Sequence, residues 1–358
     1  MADMYETTAW GKKSAEAKFE KMTIKRNLPG PEDVTFEVVY CGICHSDIHL
    51  AHNDMGNTKY PIVPGHELAG VVTAVGSSVT RFKVGDKCGV GCIVDSCGSC
   101  GNCQLGEEQY CDSHYTLTFN MDTAHGRIKT DSGYTYGGYS ASQTVNQKFL
   151  IKVPDEYPIE SAGPIFCAAI TMYSPLVHWK AIKGGMNIGV VGIGGLGQFG
   201  IRLAKAMGNK VYAISTSPNK EAEAKKIGAD GFIVSKDADS MSAAANSLDL
   251  ILNTVSANHE LSLYLPLLRK DGTLVQLGLV AGNHSVNQFP FIVKRISVAG
   301  CQIGGIKETQ DCMDFCTKHA IYPATKVVTA DQLDEVYHTL ENKNDQIIRY
   351  VLDVKGSL

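Results

Sequence analysis

Residues 187–207 read NIGVVGIGGLGQFGIRLAKAM, and this stretch decides the fold. Asn187–Val191 is a short β-branched run, which predicts a strand. Leu196–Met207 repeats apolar residues at helical spacing, which predicts a helix. Between them lies Gly192-Ile193-Gly194-Gly195-Leu196-Gly197. A G-x-G-x-x-G pattern alone is weak, but a strand before it and a helix after it make a dinucleotide fingerprint. The glycines let a pyrophosphate approach the backbone and rest on the helix N-terminus. The plain alternative is a Gly-rich turn with no ligand.

Downstream, the texture continues as strand, helix, strand. Lys210–Ile214, Phe232–Val234, Leu248–Asn253 and Thr273–Leu277 are strand candidates, and Lys220–Ile227 is a helix. Such alternation predicts a doubly wound parallel α/β sheet. Upstream, Glu160–Lys180 has helical spacing. Residues 1–155 are turn-rich, with short strand candidates at Val34–Tyr40, Gly70–Val75 and Gln143–Val153. The last stretch has two helix-like segments, Glu308–Lys318 and Ala330–Glu341, then a strand candidate, Ile347–Val354, that suits either domain. The division expected is 1–157, 158–306 and 307–358. A length of 358 residues agrees with about two domains at roughly 150 residues each.

The second strand carries the cofactor choice. An NAD site wants an acid near its end for the ribose 2′-hydroxyl. Here the chain reads Ser215-Thr216-Ser217-Pro218-Asn219-Lys220, with no acid from Lys210 to Lys220. Hydroxyls and a cation without a carboxylate suit a 2′-phosphate, so NADP(H) is expected. The alternative is a polar turn that caps the next helix.

Composition is that of an ordinary globular protein, with 44% apolar and 20% charged residues. Thirty-three basic and 37 acidic residues give a net charge of −4, without the basic surplus of a nucleic-acid binder. The richest apolar window, Ala162–Val177, is interrupted by Gly163, Pro164, Thr171, Ser174 and Pro175, so no membrane span is expected. Neither end of the sequence reads as a targeting signal, and a cytoplasmic protein is expected.

The 12 cysteines then need a reason. In a reducing compartment, clustered cysteines are more often metal ligands than disulfides. Cys97, Cys100 and Cys103 are spaced C-x2-C-x2-C, and Cys111 follows. Four thiolates on a short loop make a closed structural zinc site. An iron–sulfur run opens similarly but needs a fourth Cys after three residues and then Pro, and neither is present. Four unrelated buried cysteines are the plain alternative.

A second group lies at Cys44-His45-Ser46-Asp47-Ile48-His49, with Gly65-His66-Glu67 downstream. Cys44 and His66 are candidate catalytic zinc ligands, and a catalytic zinc takes three protein ligands with one open position. Cys167, in GPIFCAAIT, is the best candidate for the third, although a Cys in an apolar run is commonly plain core. Asp47 and Glu67 suit the orientation of imidazole or metal.

At this point the sequence resembles the zinc-dependent medium-chain dehydrogenase/reductases, nearest the cinnamyl alcohol dehydrogenases and their NADPH-dependent microbial relatives. The motifs are CGICHSDIH, PIVPGHELAGVV, SCGSCGNCQLGEEQYC, GPIFCAAITMYSPL, GIGGLGQFG and IGGIKET, spread along nearly the whole chain. The resemblance implies a GroES-like β-barrel, a Rossmann domain, and a C-terminal return to the first domain. It implies catalytic zinc on Cys44, His66 and Cys167, with Glu67 able to ligate. Ser46 would pass on the substrate proton and His49 would end the relay. Thr171, Thr254, Gly278 and the Cys301-Gln302-Ile303 turn would contact the cofactor, with Ser46. The branch usually has a pocket Trp five residues after the last structural-zinc cysteine, where this chain has Thr116. Cys301 and Gly305 also replace common serines.

The function expected is an NADP(H)- and zinc-dependent alcohol dehydrogenase that mostly reduces aldehydes, with two zincs per chain, as a homodimer. A polyol dehydrogenase and a non-enzymatic NADPH-binding protein are the rivals.

Overall fold

The structure is a computed structural model that describes residues 4–124, 126–280, 283–342 and 348–358. The chain forms two compact units, Met1–Cys167 with Gly304–Leu358, and Ala168–Ile303. The first crossover therefore falls ten residues later than the change of sequence texture at 157/158.

In the second unit, among the described residues, six parallel strands form one sheet. Their spatial order is Gly231–Val234, Lys210–Ser215, Asn187–Val191, Leu248–Asn253, Leu268–Gln276 and Ser297–Gly300. Numbered along the chain this is 3-2-1-4-5-6, the doubly wound order in which nucleotides bind at the carboxyl ends of the central strands. The central strands are continuous apolar runs because helices cover both faces. Ile214, Ile251, Leu265 and Leu274 are fully buried between the layers, each worth about 1.5–3 kcal/mol relative to exposure. The helix Gly195–Ala206 packs against the helix Ala168–His178. Gly200 permits this approach, since a Cβ there would strike Met172.

Among the described residues of the first unit, a seven-stranded sheet is built around the long strand Asp33–Gly42, paired antiparallel with Leu68–Val75, Ser142–Asn146 and Arg349–Asp353. The sequence left the terminal strand open to either domain. It joins this sheet, and Thr325–Val328 adds to it in parallel. Ile347, at the start of that strand candidate, lies outside the described residues. A hairpin of Met4–Gly11 and Glu20–Asn27 was not read from the sequence.

The expected helix Glu160–Lys180 is broken. It becomes the helix Ile159–Ala162, a tight turn Gly163–Phe166 and the helix Ala168–His178. Two features sit at the break: Pro164, which has no N–H to donate, and Gly163, where a Cβ would strike the Glu67 carbonyl. Cys167 sits at the break with φ −130° and ψ −67°, outside helical geometry, and leaves the apolar run to face a cluster of polar groups.

Candidate active site

Among the described residues, two groups bring four donor atoms each within 4.8 Å of one another. The first is Cys97, Cys100, Cys103 and Cys111. Zinc–sulfur bonds of ~2.3 Å at tetrahedral angles require sulfurs about 3.8 Å apart. Cys97 and Cys103 are 3.9 Å apart and Cys100 and Cys111 4.0 Å, so the donor set fits zinc. Amides of Ser99 and Cys100 draw the Cys97 thiol down to about 6, while burial pushes Cys103 up to about 12. Gly98 makes its turn with φ +69°. The four-residue helix Gly101–Gln104 buries no side chain. Beside the lobe, the Glu108 carboxylate accepts the Ile306 amide at 2.9 Å, capping the helix Ile306–Lys318.

The second group is Cys44, His66, Glu67 and Cys167, all buried. Cys44 caps the helix His45–Ala51, and the strand Leu68–Val75 follows Glu67 directly. Cys44 Sγ lies 4.0 Å from Cys167 Sγ, and His66 Nε2 lies 3.3 Å from Cys167 Sγ. A zinc with one nitrogen and one sulfur ligand would set that edge at about 3.5 Å, so this set also fits. The hydrogen bond from Cys167 draws the Cys44 thiol well below its usual range, as a thiolate donor needs.

Asp47 organises the group. Its fully buried carboxylate accepts the Cys44 amide at 2.9 Å and the Gly65 amide at 2.9 Å, and takes His66 Nδ1–H at 3.0 Å. That bond assigns the tautomer that leaves Nε2 to a metal. Burial alone would push the His66 imidazole down, but Asp47 and the neighbouring thiols outweigh it and hold it well above its usual value. Glu67 is held by Arg349, whose Nε and Nη2 donate to its two carboxylate oxygens. Burial still pushes the Glu67 carboxyl up. Gly42 makes room for Glu67, because a Cβ there would collide with its Oε2.

Ser46 and His49 stand three apart on the helix His45–Ala51, and so share a face. Ser46 is exposed, with Oγ 3.8 Å from Cys44 Sγ. His49 Nδ1 is 2.7 Å from the Asp54 carboxylate. Thr116 is buried, with its hydroxyl and Asp95 crowding the space a Gly126 Cβ would need. The aromatic ring beside the cluster belongs to Phe119, stacked on His66 at 5.7 Å and 12°.

In the second unit the fingerprint glycines divide their work. Gly192 turns the chain with φ +85°, and a Cβ there would meet Thr254 Oγ1 at 2.8 Å. A Cβ on Gly194 would meet nothing within 4 Å, so its backbone faces open space. A Cβ on Gly197 would strike the Gly192 carbonyl, which fixes close packing of helix on strand. Ile193 is buried, while Gly195 and Leu196 open the helix. Thr254 Oγ1 donates to the Val191 carbonyl at 2.8 Å. The Gly278 carbonyl accepts from Gln276, and Cys301 Sγ lies 3.7 Å from Ser174 Oγ. Ile303 has φ +35° and Gln302 is exposed. Thr171 is buried in the helix Ala168–His178. Ser215 ends its strand, and its Oγ accepts the Ser217 amide at 3.1 Å; Thr216 is exposed and Lys220 half-buried.

Arg349, Phe119 and Cys92 were not read from the sequence as site residues. Arg349 is separated from Glu67 by most of the chain, and no local spacing announces such a partner. Cys92 was legible only as one of the cysteines outside the two groups.

A unit with a 3-2-1-4-5-6 sheet and a phosphate-type glycine loop, in the same chain as a unit with one all-sulfur and one mixed-donor metal cluster, defines a zinc- and dinucleotide-dependent oxidoreductase. Two family models match the chain: alcohol dehydrogenase GroES-like domain over residues 30–155 and zinc-binding dehydrogenase over residues 195–318. NADP-dependent alcohol dehydrogenase C 1 of Mycolicibacterium smegmatis is 44% identical over 350 residues, 98% of each chain. Aldehyde reductase YahK of Escherichia coli is 45% identical over 348 residues, 96% of this chain and 97% of that one. The solved cinnamyl alcohol dehydrogenase of Sorghum bicolor superposes with a TM-score of 0.93 at 40% identity, covering 99% of each chain. The chain belongs to the zinc-dependent alcohol dehydrogenase family, and it is an enzyme.

Proposed function

We infer that the protein transfers hydride between NADP(H) and a primary alcohol or aldehyde, and works chiefly as an aldehyde reductase. The observation that carries this reading is the buried Cys44–His66–Cys167 cluster oriented by Asp47. When bound, zinc there polarises the carbonyl as a Lewis acid and NADPH supplies the hydride. Cys44, His66 and Cys167 hold the metal, and Asp47 fixes the imidazole and the Cys44 backbone. Arg349 neutralises Glu67, the second buried carboxylate of the cluster. Gly192 and Gly194 admit the pyrophosphate, Gly197 lets the helix pack close beneath it, and Ser215, Thr216, Ser217 and Lys220 take the 2′-phosphate. Ser46 hands a proton to the substrate oxygen, and His49, held by Asp54, replenishes it.

Aldehyde-driven oxidation of NADPH tests the reaction itself, and two substitutions test the relay. Ser46→Ala is expected to cut turnover by about 10²–10⁴-fold, the span of a general acid–base group. His49→Gln is expected to cost less, because water can replace the end of a relay. Initial rates on both variants decide it: a mild Ser46→Ala beside a severe His49→Gln would reverse the two roles. Polyol oxidation is the second reading, and it is disfavoured by the hydroxyl-rich 2′-phosphate turn.

The working state is a homodimer. The edge strand Ser297–Gly300 is largely exposed, and the helix Phe289–Lys294 beside it shows Phe289 and Ile292 at 65% and 77% exposure. An open apolar edge invites either aggregation or a symmetric partner, and a two-fold axis would pair the strand with its own copy. Light scattering is expected to give twice the 38.6 kDa chain mass, and Ile292→Asp to shift it toward monomer. A monomeric wild type would contradict this. Twelve cysteines, all unbridged in the structure, fit a cytoplasmic, reducing compartment.

A further inference from the structure

Cys92 lies outside both donor groups, on the link between the strands Lys87–Val90 and Ile93–Ser96. Its neighbour Gly91 packs backbone to backbone on Phe166, where a Cβ would meet the Phe166 carbonyl at 2.6 Å. That contact brings the next residues, Cys92 and Cys167, side by side. Their thiols share a hydrogen bond, and Cys92 also acts electrostatically on His66. Cys167 in turn lies 4.0 Å from Cys44. The cluster therefore holds three sulfurs, of which Cys92 is the partly accessible one and the two assigned to the metal are buried. Cys41, Cys88, Cys312 and Cys316 are buried.

We propose that Cys92 is an oxidation site that joins Cys167 in a disulfide and thereby releases the metal held by Cys44, His66 and Cys167. This rests on those residues being the zinc ligands. The oxidant is a peroxide. Its O–O bond breaks as the Cys92 sulfur takes one oxygen, giving a sulfenic acid and one water. The Cys167 sulfur then attacks the Cys92 sulfur, the S–S bond forms, and the S–O bond breaks. The departing hydroxide takes a proton to become a second water. Two electrons pass from the two sulfurs to one peroxide, and a thiol reductant reverses the change. Because Cys167 has left the donor set, two ligands remain and affinity collapses.

The test uses the zinc-loaded protein and hydrogen peroxide. Three readouts are followed: zinc freed to a chromogenic chelator, the disulfide by mass spectrometry without reduction, and zinc regained after dithiothreitol. Wild type is expected to release one zinc per chain, with a Cys92–Cys167 linked peptide. Cys92→Ser and Cys92→Ala are expected to keep their zinc and to release it at least about tenfold more slowly, since direct attack on a metal-bound, buried thiolate is slow. Release from either variant at the wild-type rate, or a Cys44–Cys167 link as the main product, would overturn the proposal. Zinc counted before oxidation separates the failures. One zinc per chain instead of two refutes the ligand assignment, whereas two zincs with no Cys92–Cys167 link refute the switch.

Discussion

His66→Ala is expected to give a folded protein that carries one zinc instead of two and turns over at least about 10³-fold more slowly. Lewis-acid stabilisation is worth several kcal/mol, and each 1.36 kcal/mol is about tenfold in rate. Folding should survive because Asp47 keeps two of its three partners, the amides of Cys44 and Gly65. Losing one hydrogen bond to a buried carboxylate costs about 1–3 kcal/mol. Cys100→Ser is expected to behave oppositely. The helix Gly101–Gln104 in this lobe has no buried side chain, so its order depends on metal binding, which contributes roughly 10–16 kcal/mol at comparable sites. Its loss would also free the cap that Glu108 provides to the helix Ile306–Lys318. Metal content, thermal melting and turnover check the pair. A fully active His66→Ala enzyme would remove His66 from catalysis, and a Cys100→Ser protein melting like wild type would remove the structural role.

The second large effect concerns the cofactor. NADPH is expected to exceed NADH by at least about tenfold in kcat/KM, since about 1.4 kcal/mol gives that factor. A charge-assisted hydrogen bond from Lys220 to the 2′-phosphate would supply about 1.5–3 kcal/mol. The Ser215 oxygen accepts the Ser217 amide, which holds the turn while its O–H remains a donor. Ser215→Asp is expected to invert the preference, because a carboxylate accepts the free 2′-hydroxyl and repels the phosphate. Lys220→Ala should narrow the preference without abolishing activity. Kinetics with both cofactors decide the matter: a Ser215→Asp enzyme still preferring NADPH would mean that another group reads the phosphate.

What was legible in the sequence is what is local. The strand Asn187–Val191 stands as read, and the helix after it begins one residue early, at Gly195. The strand Leu248–Asn253 also agrees end to end. A fingerprint in which strand, turn and helix are consecutive needs no distant partner to declare itself. The Cys97–Cys111 group is legible for the same reason, since all its donors lie on one loop.

Long-range features were less legible. Glu160–Lys180 reads as one helix, but Pro164 and the packing of Gly163 on Glu67 sit where it breaks. The edge strand Ser297–Gly300 has no alternation to announce it and forms by pairing with Leu268–Gln276. The resemblance puts the branch's usual pocket Trp at Thr116, which is buried near Asp95 and Gly126, and the stacking of Phe119 on His66 could not be read from the sequence. Arg349 is a buried charge explained only by Glu67, and a buried ion pair across the chain leaves no local trace.

Metal dependence is tested most directly by the rate of NADPH oxidation by an aldehyde before metal removal by a chelator, after it, and on restoring zinc. Benzaldehyde and short aliphatic aldehydes serve as substrates. The rate is expected to fall to background on removal and to return with zinc, with NADH at least about tenfold poorer throughout. A rate that persists in the metal-free protein would contradict the account, as would a protein that oxidises sorbitol while leaving every aldehyde unreduced.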